Sequence, residues 1–204
     1  MMDNASAHEE LKVIRSLMER PVKYSTQSGL AGILAGLIAL AGMFADMYVS
    51  SHYEMTTVIG LCFCIWGGVL GLSLLTVAGL TRLREIRQGM PLWSAVKMRI
   101  LLAILPSFVA GVGVTMAIIF RWFMNDGPNE WGLIIPIWML FYGVACWQVG
   151  EFSVKELRWM GAIFIVAGLI SAAFFQNVPY LIFGVSFGGF HILYGVIVWL
   201  RYGG

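Results

Sequence analysis

Charge is what this sequence has least of. Only 12% of its 204 residues are Asp, Glu, Lys or Arg, against roughly a quarter in a soluble domain. That scarcity excludes an ordinary water-soluble globule. It also excludes disorder, which needs low hydrophobicity and high charge, since 59% of the chain is apolar and the mean hydropathy is +0.82. Cysteine is equally sparse. Cys62, Cys64 and Cys146 all fall in long apolar runs, so no disulfide framework is implied and buried structural thiols are the default. Gly-x-Ser-x-Gly, His-Glu-x-x-His and the phosphate-cradling Gly-x-x-x-x-Gly-Lys are all missing, as are paired carboxylates at mid-depth. Hydrolytic, nucleotide-driven and carboxylate-relayed proton chemistry therefore find no support.

What the chain has is apolar length. About 20 apolar residues at helical rise cross a hydrocarbon core of about 30 Å, and six stretches qualify: 28–49, 57–80, 100–120, 131–149, 159–175 and 180–200. The expected fold class is all-α, a polytopic membrane protein of six transmembrane helices. Residues 1–27 form a cytoplasmic N-terminal amphipathic segment and 28–204 the transmembrane domain. Residues 1–28 carry eight charges and no apolar run, unlike a cleavable export signal, so the first span is expected to be retained.

Orientation follows from the basic residues. If the spans alternate, 12 of the 13 Lys and Arg fall on one side, and Arg121 alone falls on the other. Both termini are then expected in the cytoplasm. The basic inner face would attract anionic lipid headgroups, and no aromatic and basic module argues for nucleic acid. The expected partners are the lipid bilayer and either a second copy of the chain or another membrane protein.

Local signals refine the layout. Ser6-Ala7-His8-Glu9 has capping-box spacing, and Leu11, Ile14 and Met18 share a face before Pro21. This predicts a helix of about 14 residues, lying on the inner membrane surface or leaning on the cytoplasmic loops. The second span is expected to stay helical to about Arg87, with a new helix opening at Pro91. Asn125-Asp126-Gly127-Pro128-Asn129 reads as an outer turn. Pro106 and Pro136 are placed inside spans three and four, where each would remove a helical hydrogen bond, lining a cavity or simply kinking the helix.

Three patterns recur along the chain. Spans four and six share Tyr142-Gly143-Val144-x-x-Trp147 and Tyr194-Gly195-Val196-x-x-Trp199, with Trp66-Gly67-Gly68-Val69 a weaker copy in span two. The odd spans share Ala35-Gly36, Ala110-Gly111 and Ala167-Gly168, and a basic signature precedes each: Lys12-x-Ile14-Arg15, Arg84-x-Ile86-Arg87 and Lys155-x-Leu157-Arg158. These support three helical hairpins about a pseudo-threefold axis. Independent small-residue packing in lipid is the competing account.

Few positions could carry chemistry. Asp46, His52, Glu54 and Glu151 lie near span ends and can reach interfacial water. His191 falls near the middle of span six, four residues before Gly195, and the repeat aligns it with Met139 and Cys64. Cys, Met and His are soft or borderline ligands, so Cys64, Met139 and His191 form a candidate metal site, with copper the suited ion. Otherwise His191 hydrogen-bonds a neighbour while Met139 and Cys64 pack as apolar side chains. With no catalytic motif, no activity or cofactor is expected. The first functional reading is a membrane-embedded interaction or oligomerisation module. A pore for a small solute or ion is second, with Ser73, Thr76, Thr115, Gln148, Ser171 and Ser186 as its scattered polar candidates, and a metal or redox site is third.

The string His8-Glu9-Glu10-Leu11, with Ile14-Arg15, Met18-Glu19-Arg20 and Tyr24 before a glycine-rich span, resembles a group of uncharacterised bacterial six-span membrane proteins. The resemblance covers roughly the first 45 residues and implies a bacterial inner membrane. The triple-hairpin layout is also similar to that of HdeD-like acid-resistance membrane proteins and acid-activated urea channels, but the acidic and histidine-rich outer loops of a proton-gated urea channel are missing.

Overall fold

The computed structural model describes residues 28–87, 89, 93–125 and 130–202. The expected N-terminal helix lies outside these residues, as does all of the outer turn except Asn125. Six helices follow in order. They are α1 (Gly29–His52), α2 (Met55–Arg87), α3 (Ala95–Asn125), α4 (Ile134–Gly150) with a 3-10 turn before it (Glu130–Leu133), α5 (Lys155–Phe174) and α6. The last is composite: an α-helical turn (Pro179–Phe183), a π-helical stretch (Gly184–Phe190) and a terminal α-helix (His191–Tyr202). All six are long and apolar enough to cross a bilayer, and no strand occurs among the described residues. The protein is an all-α polytopic membrane protein.

Local chemistry explains the helix limits. At 33 residues, α2 is about 50 Å long at helical rise, more than the hydrocarbon core needs, so its last turns with Arg82, Arg84 and Arg87 extend beyond it. The opening expected at Pro91 lies outside the described residues; among these, α3 opens at Ala95, where the Ser94 hydroxyl accepts the Lys97 amide at 3.3 Å and caps it. Pro136 removes no helical bond. It is the third residue of α4, where an amide has no intrahelical acceptor in any case. Pro106 does lie inside α3, and it leaves the Leu102 carbonyl without its helical donor.

Apolar burial gains little for helices already in lipid, so close backbone approach and good packing decide which helices associate. Glycines settle the outcome here. The most extensive pairing is α4 with α5, followed by α6 with α1; α2 packs on α1 and α3 on α4, while the backbones of the consecutive helices α5 and α6 stay farther apart and meet through side chains such as Phe164 and Phe187. A Cβ on Gly143 would lie 2.8 Å from the Gly161 carbonyl oxygen and 2.9 Å from the Ile165 nitrogen. A Cβ on Gly195 would meet the corresponding atoms, the Gly29 carbonyl at 2.6 Å and the Ile33 nitrogen at 2.5 Å. The two Tyr-Gly-Val-x-x-Trp segments thus make the same contact, four residues apart on each partner helix. The core sits where α4, α5 and α6 meet, around Phe164 and Val198, both 0% exposed, and Met139 at 1%.

Candidate functional site

Three polar clusters stand out in this apolar frame. The first surrounds His191, at the C-terminal edge of the π-helical stretch. Its Nε2 lies 2.6 Å from the Tyr142 hydroxyl of α4, which also has the Cys146 thiol and the Tyr194 hydroxyl for neighbours. Phe164 and Phe187 flank the ring, with centroids 5.6 and 6.0 Å away. If the phenol donates to Nε2, the imidazole is neutral and its proton sits on Nδ1. The Ser186 and Phe187 carbonyls are near enough to act on the ring, yet Nδ1 is buried with no hydrogen-bond partner. The arrangement ties α6 to α4 through one strong polar contact at mid-span.

Met139 belongs to the same buried cluster as Phe164, one helical turn from Tyr142. Cys64 does not: it is exposed on α2. The structure therefore places Met139 and His191 around one core and leaves Cys64 on the lipid-facing surface. No group of three or more His, Cys, Asp or Glu with ligand geometry occurs among the described residues. Three of the suggested pore residues donate to carbonyls of their own helices, and Thr115 also accepts the Trp138 indole of α4 at 3.0 Å. Ser186 donates to the Ile182 carbonyl at 2.7 Å, Thr76 to Leu72 at 2.8 Å and Thr115 to Gly111 at 2.9 Å. Ser171 is buried and Gln148 exposed, with Ser73 between these extremes.

A second cluster is centred on Asp46, where protein donors take the place of the interfacial water expected from its position near a span end. Its Oδ2 accepts Trp66 Nε1 at 2.8 Å, while Oδ1 accepts the hydroxyls of Ser50 at 3.0 Å and Tyr180 at 3.3 Å and the Cys62 thiol at 3.4 Å. One carboxylate joins α1, α2 and α6 near their outer ends, and all four of these donors are neutral. The Trp66 indole packs on Phe183 at 4.6 Å. The legible signal was the tryptophan of the weak repeat copy, whose N–H needs an acceptor inside a span. Replacing Asp46 with alanine is expected to strand that N–H and cost about 1–3 kcal/mol. Asparagine keeps an acceptor and should cost less. The thermal midpoint and Trp emission of the two variants in detergent check this ordering.

The third cluster binds helix ends. Glu85 is buried at 1% exposure and accepts Lys97 Nζ at 2.6 Å and Arg82 at 3.4 Å. Glu156 is buried against Arg201 and lies 3.2 Å from the Tyr202 hydroxyl. Both glutamates occupy the unassigned x of a basic signature, Arg84-Glu85-Ile86-Arg87 and Lys155-Glu156-Leu157-Arg158. Nearby, Arg158 pairs with Glu151 at 3.0 Å and lies 4.5 Å over the Trp147 ring. The signatures therefore include an internal counter-charge for a cation on the next element as well as a basic flank.

No protein-family model, curated protein or solved structure matches this chain. Fold and geometry alone carry the functional argument.

Proposed function

We propose that this integral membrane protein is an interaction module that self-associates through α2 and has no catalytic step of its own. The reading places it in a bacterial inner membrane with both termini cytoplasmic, in keeping with the one-sided basic residues and the N-terminal resemblance. One observation carries it. Gly60, Cys64, Gly67 and Gly71 recur at i, i+4, i+7 and i+11 along α2, and a Cβ on any of the three glycines would meet nothing within 4 Å. Four of the six helices use their small residues on one another, but this row has no in-chain partner among the described residues.

A second copy is the occupant that the chain's own seams favour. In the two filled seams, a Tyr-Gly-Val-x-x-Trp segment meets Gly161 or Gly29, each seven residues before the Ala-Gly glycine of its span. The same offset from Gly111 lands on Ile104 in α3, whose side chain bars an equally close approach. Two copies of α2 can instead meet glycine to glycine, as in small-xxx-small packing. The interior supports this reading over a pore, because Phe164, Met139 and Val198 fill the junction of α4, α5 and α6.

Cys64 lies in the same row and reports on it. Mild oxidation of membranes is expected to give a covalent dimer with the native chain, none with Cys64→Ser, and at least tenfold less with Gly67→Leu or Gly71→Leu. A chain that stays monomeric across concentrations and gives no cross-link overturns the proposal.

A further inference from the structure

The geometry points to a binding site for an anionic glycerophospholipid in the groove between α1 and α2, in the leaflet that meets the basic helix ends. The groove is open on its lipid side, offers about 520 Å³ and is lined by Leu34 of α1 and by Leu75, Gly79, Leu80, Leu83 and Arg82 of α2. Thr76 also lines it, but its hydroxyl is turned to the Leu72 carbonyl of its own helix, so the wall is apolar apart from Arg82. Gly79 deepens it, since a Cβ there would meet nothing within 4 Å. Leu75 and Leu83 are widely exposed, and the groove is therefore continuous with the surface that acyl chains cover. A hydrocarbon chain can enter sideways without crossing a polar barrier.

Charge selects the headgroup. Arg82 stands five residues before the end of α2, about 8 Å of helical rise from it, where the hydrocarbon region gives way to headgroups. Between residues 82 and 99 the sequence carries five basic residues, Arg82, Arg84, Arg87, Lys97 and Arg99, against the single acidic Glu85. That carboxylate is shared by Lys97 and Arg82, so the groove opens toward net positive charge. A guanidinium has five donors in a planar fork that matches a phosphodiester, and basic pockets between transmembrane helices are recognised headgroup sites. Trp93, exposed in the same connection, sits where an interfacial ring is favoured. The site does not depend on whether the chain self-associates.

The test uses the full chain purified in detergent, with phosphatidylglycerol, phosphatidylcholine or inorganic phosphate added and binding read by native mass spectrometry and by the shift in thermal midpoint. The expected result is retention of phosphatidylglycerol at least tenfold above phosphatidylcholine, with no response to inorganic phosphate. Arg82→Gln should reduce that preference about tenfold, as expected for loss of one charge-assisted contact. Gly79→Leu, which fills the groove and keeps every charge, should weaken both lipids and remains informative if Arg82→Gln fails to fold. Equal retention of the two lipids, an unchanged preference in Arg82→Gln, unchanged binding in Gly79→Leu, or a midpoint shift with phosphate alone would each overturn the assignment.

Discussion

Leucine at Gly143 should prevent α4 and α5 from docking and lower the thermal midpoint by about 6–12 °C, corresponding to about 3 kcal/mol at 2–4 °C per kcal/mol for a chain of this size. The obstruction is backbone. A Cβ at this position would lie 2.8 Å from the Gly161 carbonyl oxygen and 2.9 Å from the Ile165 amide nitrogen, and neither can turn aside as a side-chain tip could. Only a wider helix separation relieves the clash, and that separation would also loosen Phe164 and Met139 in the adjoining core. Gly195→Leu should act similarly on α6 and α1. Gly113→Leu is the control, because a Cβ there meets nothing within 4 Å and a change in an open helix position should stay within about 0.5 kcal/mol. Thermal unfolding of the purified variants, followed by circular dichroism, checks all three. Equal losses at Gly113 and Gly143 would refute the seam as the source of stability.

Replacing Lys97 with methionine is the other large effect expected, a loss of about 3 kcal/mol, because removing one partner of a buried ion pair leaves the other charge uncompensated. Glu85 has 1% of its side chain exposed, and Lys97 Nζ at 2.6 Å is its nearer cation, against 3.4 Å for Arg82. The pair also joins α2 to α3 at their basic ends. The double change Lys97→Met with Glu85→Leu should recover much of the loss, since a buried pair can often be exchanged for apolar residues at little cost. The two single variants and the double variant form a thermodynamic cycle. A coupling below about 0.5 kcal/mol would show that the pair is only a surface contact.

The sequence was a good guide wherever the bilayer imposes one answer. Six spans were legible because lipid requires long uncharged runs, and every described helix falls on an expected stretch. The paired role of Gly143 and Gly195 was legible as a repeated motif, but which helix each would meet was not. A hairpin reading brings α5 against α6, yet Gly161 and Gly29 draw those helices to α4 and α1 instead. That choice depends on atoms far apart in the chain. Asp46 was set aside because its position near a span end allows water access, whereas three helices supply donors that replace the water. The His191 partner is illegible for a related reason, since Tyr142 lies 49 residues away and within a motif that packing alone accounts for. Cys64 aligns with Met139 and His191 along the sequence, but that equivalence does not bring the side chains together, because Cys64 lies on the exposed face of α2.

The π-helical stretch of α6 has a geometric consequence. An α-helix turns about 100° per residue, so the extra residue accommodated by a π turn offsets everything before it by about that angle relative to everything after it. In α6 the offset separates two obligations: Phe183, before the stretch, packs on Trp66 of α2, while His191, after it, meets Tyr142 of α4. A uniform spiral would have one azimuth to serve both neighbours. The bulge acts as a phase shifter, letting a single rod mesh with two differently oriented surroundings.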